Sequence, residues 1–172
     1  RLSHIPAVWR FFYEDKTMTV KTTATTTLKV SAGVPATFDS AGYAALSYTT
    51  VGEITNIGEF GREFNLVTHN PVATRGTQKL KGAFNDGQIA LQMGLDTEDA
   101  GQVLMKAATL SDSLYAFLIT TAAGPLDKYY FQGLVMGWKV GLNDVNSVTS
   151  ATANIELSTS STGVGIVEVL GA

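Results

Sequence analysis

Cysteine is absent from all 172 residues. That excludes a disulfide framework, a thiolate metal site and a thiol nucleophile, and it fits a reducing compartment. Charge is scarce as well: Asp, Glu, Lys and Arg make up 16% of the chain, against about 25% in an ordinary soluble domain. The balance is slightly acidic, net −3, which argues against tight electrostatic binding of nucleic acid, since that needs a basic patch. Only two histidines occur, His4 and His69. No H-E-x-x-H pattern or carboxylate run with ligand spacing accompanies them, so the sequence offers no metal site and no cofactor site. No apolar run approaches the length of a membrane span, and no stretch has the pattern of a secretory signal. A glycine- and threonine-rich surface short of charge points to partners that cover it. An ordinary β protein with a hydroxyl-rich exterior would look the same by composition.

Residues 1–17 are aromatic, hold three of the twelve basic residues and differ in character from the rest of the chain. Met18 opens a threonine-rich approach to the first strand, and one codon reading of Tyr13-Glu14-Asp15 contains GAGGA, like a bacterial ribosome-binding site. The expectation is that residues 1–17 are a non-native upstream segment and that 18–172 form one domain. The alternative is an N-terminal arm whose Trp9, Phe11 and Phe12 dock on that domain.

From residue 26 the pattern is mainly β. Residues 26–31 alternate, with Leu28 and Val30 on one face. Asp39 is placed to cap a short helical turn after Pro35. Residues 48–60 read as a second strand, with glycines marking a bulge or a close backbone approach. Residues 61–74 then read as a long loop, about 14 residues, and loops of that length are usually functional or disordered. Extended, it would reach roughly 45–50 Å, far enough to touch a neighbouring molecule. In the strand at 75–84, Arg75, Thr77, Lys79 and Lys81 share one face, with Gln78, Leu80, Gly82 and Phe84 on the other. Asn85-Asp86-Gly87 has hairpin chemistry leading into a strand at 88–95.

The sequence predicts one substantial helix over 97–109, capped by Asp96 or Thr97, with Ala100, Val103, Leu104, Ala107 and Ala108 as its apolar stripe. Gly101 costs about 1 kcal/mol there, tolerable if something packs closely against it. Further strands are expected at 114–121, 129–142, 148–157 and 164–170, the first of them turned by Ala123-Gly124-Pro125. In the long strand at 129–142, Tyr130, Leu134, Met136, Trp138, Val140 and Leu142 alternate with Phe131, Val135 and Lys139. The fold class expected is therefore mainly β: an antiparallel sandwich or barrel with one flanking helix and a long inter-strand loop.

Catalytic patterns are weak. Ser40, His69 and Asp39 could be imagined as a triad, but there is no G-x-S-x-G elbow. The run GVGIVEVLG lacks the lysine and the following helix of a phosphate-binding loop. Asp96, Glu98 and Asp99 are accounted for by helix capping, which leaves no acid/base pair. The basic positions Arg75, Lys79 and Lys81 face no aromatic stacking platform. They would pair with Glu53, Glu59 and Glu63, either inside the domain or across a subunit boundary.

The run VGEITNIGEFGREFNLVTHNPVATRGTQKLKGAFNDG, with LQMGLDTEDAGQVLMKAA and YYFQGLVMGWKV after it, resembles the tail tube (major tail) proteins of long-tailed bacteriophages. The similarity extends over residues 25–169, and residues 1–17 have no counterpart in it. The resemblance implies a structural, non-enzymatic subunit that forms six-fold rings stacked head-to-tail into a hollow tube. It implies partners as well: further copies of the chain, and tape-measure, baseplate or tail-tip, and tail-terminator proteins. Viral DNA would pass transiently without tight binding, in a virion tail assembled in the bacterial cytoplasm and free of membrane. Candidate subunit-interface residues are Glu53, Glu59, Arg62, Asn65, His69, Asn70, Arg75, Lys79 and Lys81. Other β-sandwich virion components (terminator, decoration or adhesin-like) and the inner tube of a related injection system are the alternatives.

Overall fold

A computed structural model describes residues 22–121 and 126–171. The expectations for residues 1–17, for Met18 and for the turn at 123–125 lie outside the described residues. The first strand, β1 (Thr27–Ser31), buries Leu28 and Val30. The short helix α1 (Ser40–Ala44) starts where Asp39 accepts from the Gly42 amide at 2.7 Å. That amide, and then the Thr37 hydroxyl, hold the Asp39 carboxyl below its ordinary pKa, because both donate to its charged form.

Residues 48–60 are not one strand. They split into β2 (Thr49–Val51) and β3 (Ile54–Asn56), because Glu53 takes a left-handed backbone with φ of 54°. The remaining strands of the main sheet are β6 (Gln88–Gly94), β7 (Tyr115–Thr120), β8 (Lys128–Gly141), β9 (Ser150–Ser158) and β10 (Val167–Val169). Their order is β2-β1-β7-β8-β9-β6-β3, with β10 beside the first part of β8, and every pairing is antiparallel. The two end strands, β2 and β3, are consecutive in the chain with only Gly52 and Glu53 between them. A link of three Cα steps spans about 11 Å at most, so the sheet must curl until its ends meet.

The principal core fills that curl. Leu28, Val30, Ile89, Leu91, Met93, Phe117, Phe131, Ala151, Ala153 and Ile155 point inward, and Phe117 stacks on Phe131 with centroids 5.3 Å apart. The second helix, α2 (Ala100–Ala108), packs against β2, β1 and β8. Its N-cap is Asp99, not Asp96 or Thr97, and it buries Gly101, Gln102, Met105 and Ala108. The expected stripe is thus rotated, with Val103 51% exposed. Two contacts turn the helix. A Cβ on Gly101 would collide with the Thr50 carbonyl and come within 2.6 Å of the Val51 α-carbon. Gln102 donates to the Gly94 and Gly52 carbonyls at 2.8 and 3.2 Å and accepts from the Asp96 amide. It thereby closes the seam beside the β2–β3 link.

The faces of β8 also change partway along. A register shift between Val135 and Gly137 leaves Met136 62% exposed and turns Trp138 to the Phe131 and Val135 side, as a bulge does to the alternation beyond it. On the outside of the sheet, Tyr43, Leu118 and Tyr130 form a second small core with Phe38, Tyr48, Val167 and Val169. Burial there pushes the Tyr43 hydroxyl up to about 12 and raises Tyr48 further, with Tyr130 and Tyr43 adding to the Tyr48 shift.

Candidate functional site

The stretch expected as a loop at 61–74 contains a strand, β4 (Glu63–His69), which pairs only with β5 (Gln78–Asn85) in a separate two-stranded sheet. Every residue of β4 is exposed, so neither face supplies the half-buried alternation by which strands are recognised. The two strands form an arm projecting from the body. Asp86-Gly87 is not a hairpin between β5 and β6, because β6 pairs with β9 and β3 instead. Gly87 does take the positive φ expected of it, 84°, and uses it to pass the chain from arm to body.

The base of the arm is held by Arg62 and Asp86. The Arg62 Nε donates to Asp86 Oδ1 at 2.9 Å, and the guanidinium lies 3.8 Å from the Phe84 ring centre. The Asp86 residue is buried, while Arg62 is partly open to solvent. Beside them a cavity of about 240 Å³ is lined by Phe60, Gly61, Arg62, Asp86, Ile166 and Glu168.

The register divides the arm into two faces. Phe64 opposes Phe84, Leu66 opposes Lys81 and Thr68 opposes Lys79, while Val67 opposes Leu80 on the reverse side. An irregularity between Phe64 and Leu66 moves Phe84 to the lysine side, correcting the expected split of this strand. Lys81 then sits 4.7 Å from the Phe64 ring centre, and Phe64 contacts Phe84 at 5.7 Å. Leu66 is 64% exposed and Leu80 57%. Large apolar side chains therefore stand open to water on both faces, where a monomer gains nothing from them.

Of the candidate residues, Asn65 and His69 lie in β4 and Lys79 and Lys81 in β5. Asn70 and Arg75 fall in the turn that joins these strands, so Arg75 and Thr77 are outside the strand predicted to contain them. Glu53 is in the β2–β3 link and Glu59 between β3 and β4. Among the described residues no ion pair joins Arg75, Lys79 or Lys81 to Glu53, Glu59 or Glu63; the pair formed is Arg62 with Asp86. The sequence marks Asp86 only as part of a turn and Leu80 and Phe84 only as one face of a strand, and it assigns no role to Phe64, Leu66 or Val67. The signal was the density of apolar residues in FNLV, which a polar loop does not carry. Asp39 is occupied in capping α1 and His69 belongs to the arm, so the structure does not assemble them with Ser40. Among the described residues, no three His, Asp or Glu side chains gather as metal ligands.

Charge is divided in the same way. Residues 62–85 carry four basic side chains and one acidic, net +3, while the other described residues carry four basic and twelve acidic, net −8. The arm is a cationic, apolar projection on an acidic body.

The fold, a curled antiparallel sheet with a helix across it and a separate two-stranded arm, is similar to that of two solved structures. The chain is similar to one in the six-fold symmetrised cryo-EM structure of the anti-feeding prophage baseplate. That match has 11% identity and a TM-score of 0.63, and covers 88% of this chain and 96% of that one. It is also similar to the SPP1 tail tube determined by solid-state NMR and cryo-EM, with 12% identity, a TM-score of 0.55, and 86% and 77% coverage. At these identities the likeness is one of fold. No protein-family model and no curated protein matches the sequence.

Proposed function

We propose that this protein is a structural subunit of a phage-type tail tube, stacking as hexameric rings into a hollow conduit for viral DNA. The observation that carries the reading is the arm. An isolated two-stranded sheet is marginally stable in water, and this one exposes Phe64, Leu66, Val67 and Leu80. A second copy supplies the missing cover, and because arm and body differ, the contact is head-to-tail and can repeat without closing. The fold likeness to an SPP1 tail tube chain supports the same reading. In it, Glu53, Glu59, Asn65, His69, Asn70, Arg75, Lys79 and Lys81 are subunit contacts, and Arg62 sets the angle of the arm. The protein is not an enzyme. Its partners are its own copies and the tape-measure, tail-tip and terminator proteins, and DNA slides past without tight binding. Its place is the virion tail, assembled in the host cytoplasm.

A second reading is a baseplate ring or the tube of a related injection system. The match to the prophage baseplate chain, which covers nearly all of that chain, favours it. Negative-stain electron microscopy over a concentration series separates the two. Long tubes of stacked rings are expected for the first, and single rings that never elongate for the second. A monodisperse monomer at high concentration, even with tail-initiator proteins present, would overturn both.

A further inference from the structure

The arm's base and the start of α2 lie at opposite ends of the body. Gln88, at one end of β6, comes directly after the Asp86-Gly87 link. Gly94, at the other end, donates its amide to the Glu53 carbonyl and leads toward Asp96. The seven residues of β6 that run from one to the other span about 20 Å at the usual rise. At that far end a groove of about 220 Å³ opens between α2 and β8, with Leu95, Val103, Trp138 and Val140 as apolar lining. Val103 and Val140 are each about half exposed, and the buried Trp138 Nε1 has no hydrogen-bond partner. The edge of β8 beside the groove is not paired with β7 beyond Gly133, because β7 begins at Tyr115 opposite it.

The chain around the groove's helix start carries Glu53, Asp96, Glu98 and Asp99. The Asp99 carboxylate is committed to the Gln102 and Gly52 amides, and that of Asp96 to the Glu98 amide. Among the described residues none of the four is ion-paired. One cation, Lys106, lines the groove, seven residues along the helix from its Asp99 cap and so about 10 Å further down its axis.

Resting on the reading that copies assemble through the arm, we propose that this α2–β8 groove is the acceptor for the arm of a second copy. Phe64 and Leu66 fill the apolar floor, while Lys79 and Lys81 lie against Glu53, Asp96 and Glu98. Charge complementarity argues for a second copy as the occupant: residues 62–85 of the arm carry a net charge of +3, against −8 over the other described residues. Lys106 sets the direction, since it repels the arm's lysines toward the start of the helix. Placing donor and acceptor at opposite ends makes the interface heterologous, so each docking leaves a fresh arm and a fresh groove.

The absence of cysteine makes the test clean. Leu66→Cys and Val103→Cys in one chain should oxidise, once assembled, to a ladder of covalent oligomers. A mixture of the two single variants should stop at the covalent dimer. Val34→Cys, at an exposed position outside the groove, serves as the control partner for Leu66→Cys and should stay uncoupled. Glu98→Lys should slow assembly about tenfold, as loss of steering charge does, and Lys79→Glu with Lys81→Glu in the same chain should restore it. If the unmodified protein forms tubes but Leu66→Cys fails to couple to Val103→Cys, or couples equally to Val34→Cys, the acceptor assignment is wrong while the assembly reading stands. If the unmodified protein forms no assemblies at all, both fall.

Discussion

Gly101 sits in the first turn of α2 with the backbone of β2 directly against it, the Val51 α-carbon 2.6 Å from where a Cβ would be. Alanine at this position would gain about 1 kcal/mol of helix propensity. It would also force α2 off β2, and overpacking of this kind costs about 1–3 kcal/mol. Gly101→Ala is therefore expected to lower stability by about 1 kcal/mol in urea unfolding, and an increase would show that the helix can slide freely. Tyr43 gives a pH signature. Its hydroxyl is buried without a partner, and burial lifts its pKa from 10.0 to about 12. Between those values the folded state keeps a proton that the unfolded chain has released. Its stabilisation is thus complete below about pH 10 and is lost as pH rises through about 12. Tyr43→Phe should leave stability at pH 7 within about 1 kcal/mol, since a buried hydroxyl with no partner contributes little. It should also flatten the alkaline loss, and an unchanged alkaline slope would contradict this account.

At the scale of elements the arm stands apart from the rest. Its strands pair only with each other, and Arg62, Phe84 and Asp86 tie it down at one end. Replacing residues 64–83 with a short Gly-Ser link should leave the body folded, with its melting temperature changed by less than about 5 °C, and should abolish assembly. In the intact monomer, amide exchange in β4 and β5 should be fast relative to β8 and β9, then slow upon assembly. Unfolding of the shortened chain, or equal protection of arm and body in the monomer, would mean that the arm is part of the domain's own stability. The sequence pointed to this region as the reaching element but misread its form. With both faces exposed, β4 carries apolar residues at 64, 66 and 67, and no two-residue period survives. The helix was legible in place, yet it begins three residues later than expected, at Ala100, and its rotation was not legible. Which side faces the sheet is decided by Gly101 and Gln102, two residues that an apolar stripe ignores.

At the scale of the molecule the governing feature is the separation of charge, a +3 arm on a body whose other described residues sum to −8. Opposite charges that meet across an exposed boundary are screened by salt, with a Debye length of about 10 Å at 0.1 M and about 3 Å at 1 M. Assembly should therefore start several-fold more slowly in about 1 M salt than in about 0.1 M, while the apolar contacts keep finished tubes intact. Indifference of the nucleation rate to salt would remove charge as the steering term. Tubes should also bind DNA weakly at moderate salt, since an acidic body repels it; tight, salt-sensitive retention of DNA would point to a cationic lumen.

The order of apolar and polar residues determined by itself that β1, β6, β7 and β9 are strands and that β1 buries Leu28 and Val30. That information is local, because alternation along a strand needs only one covered face. It determined too that there is no thiol chemistry and that one segment reaches outward. Only the tertiary structure decided that β2 and β3 part at Glu53 to close the sheet from both ends, and that the bulge at Met136 turns Trp138 inward. The same holds for Asp86, which anchors an arm instead of turning a hairpin. Each of these depends on contacts between residues far apart in the chain, and the spacing of neighbours along a sequence does not record them.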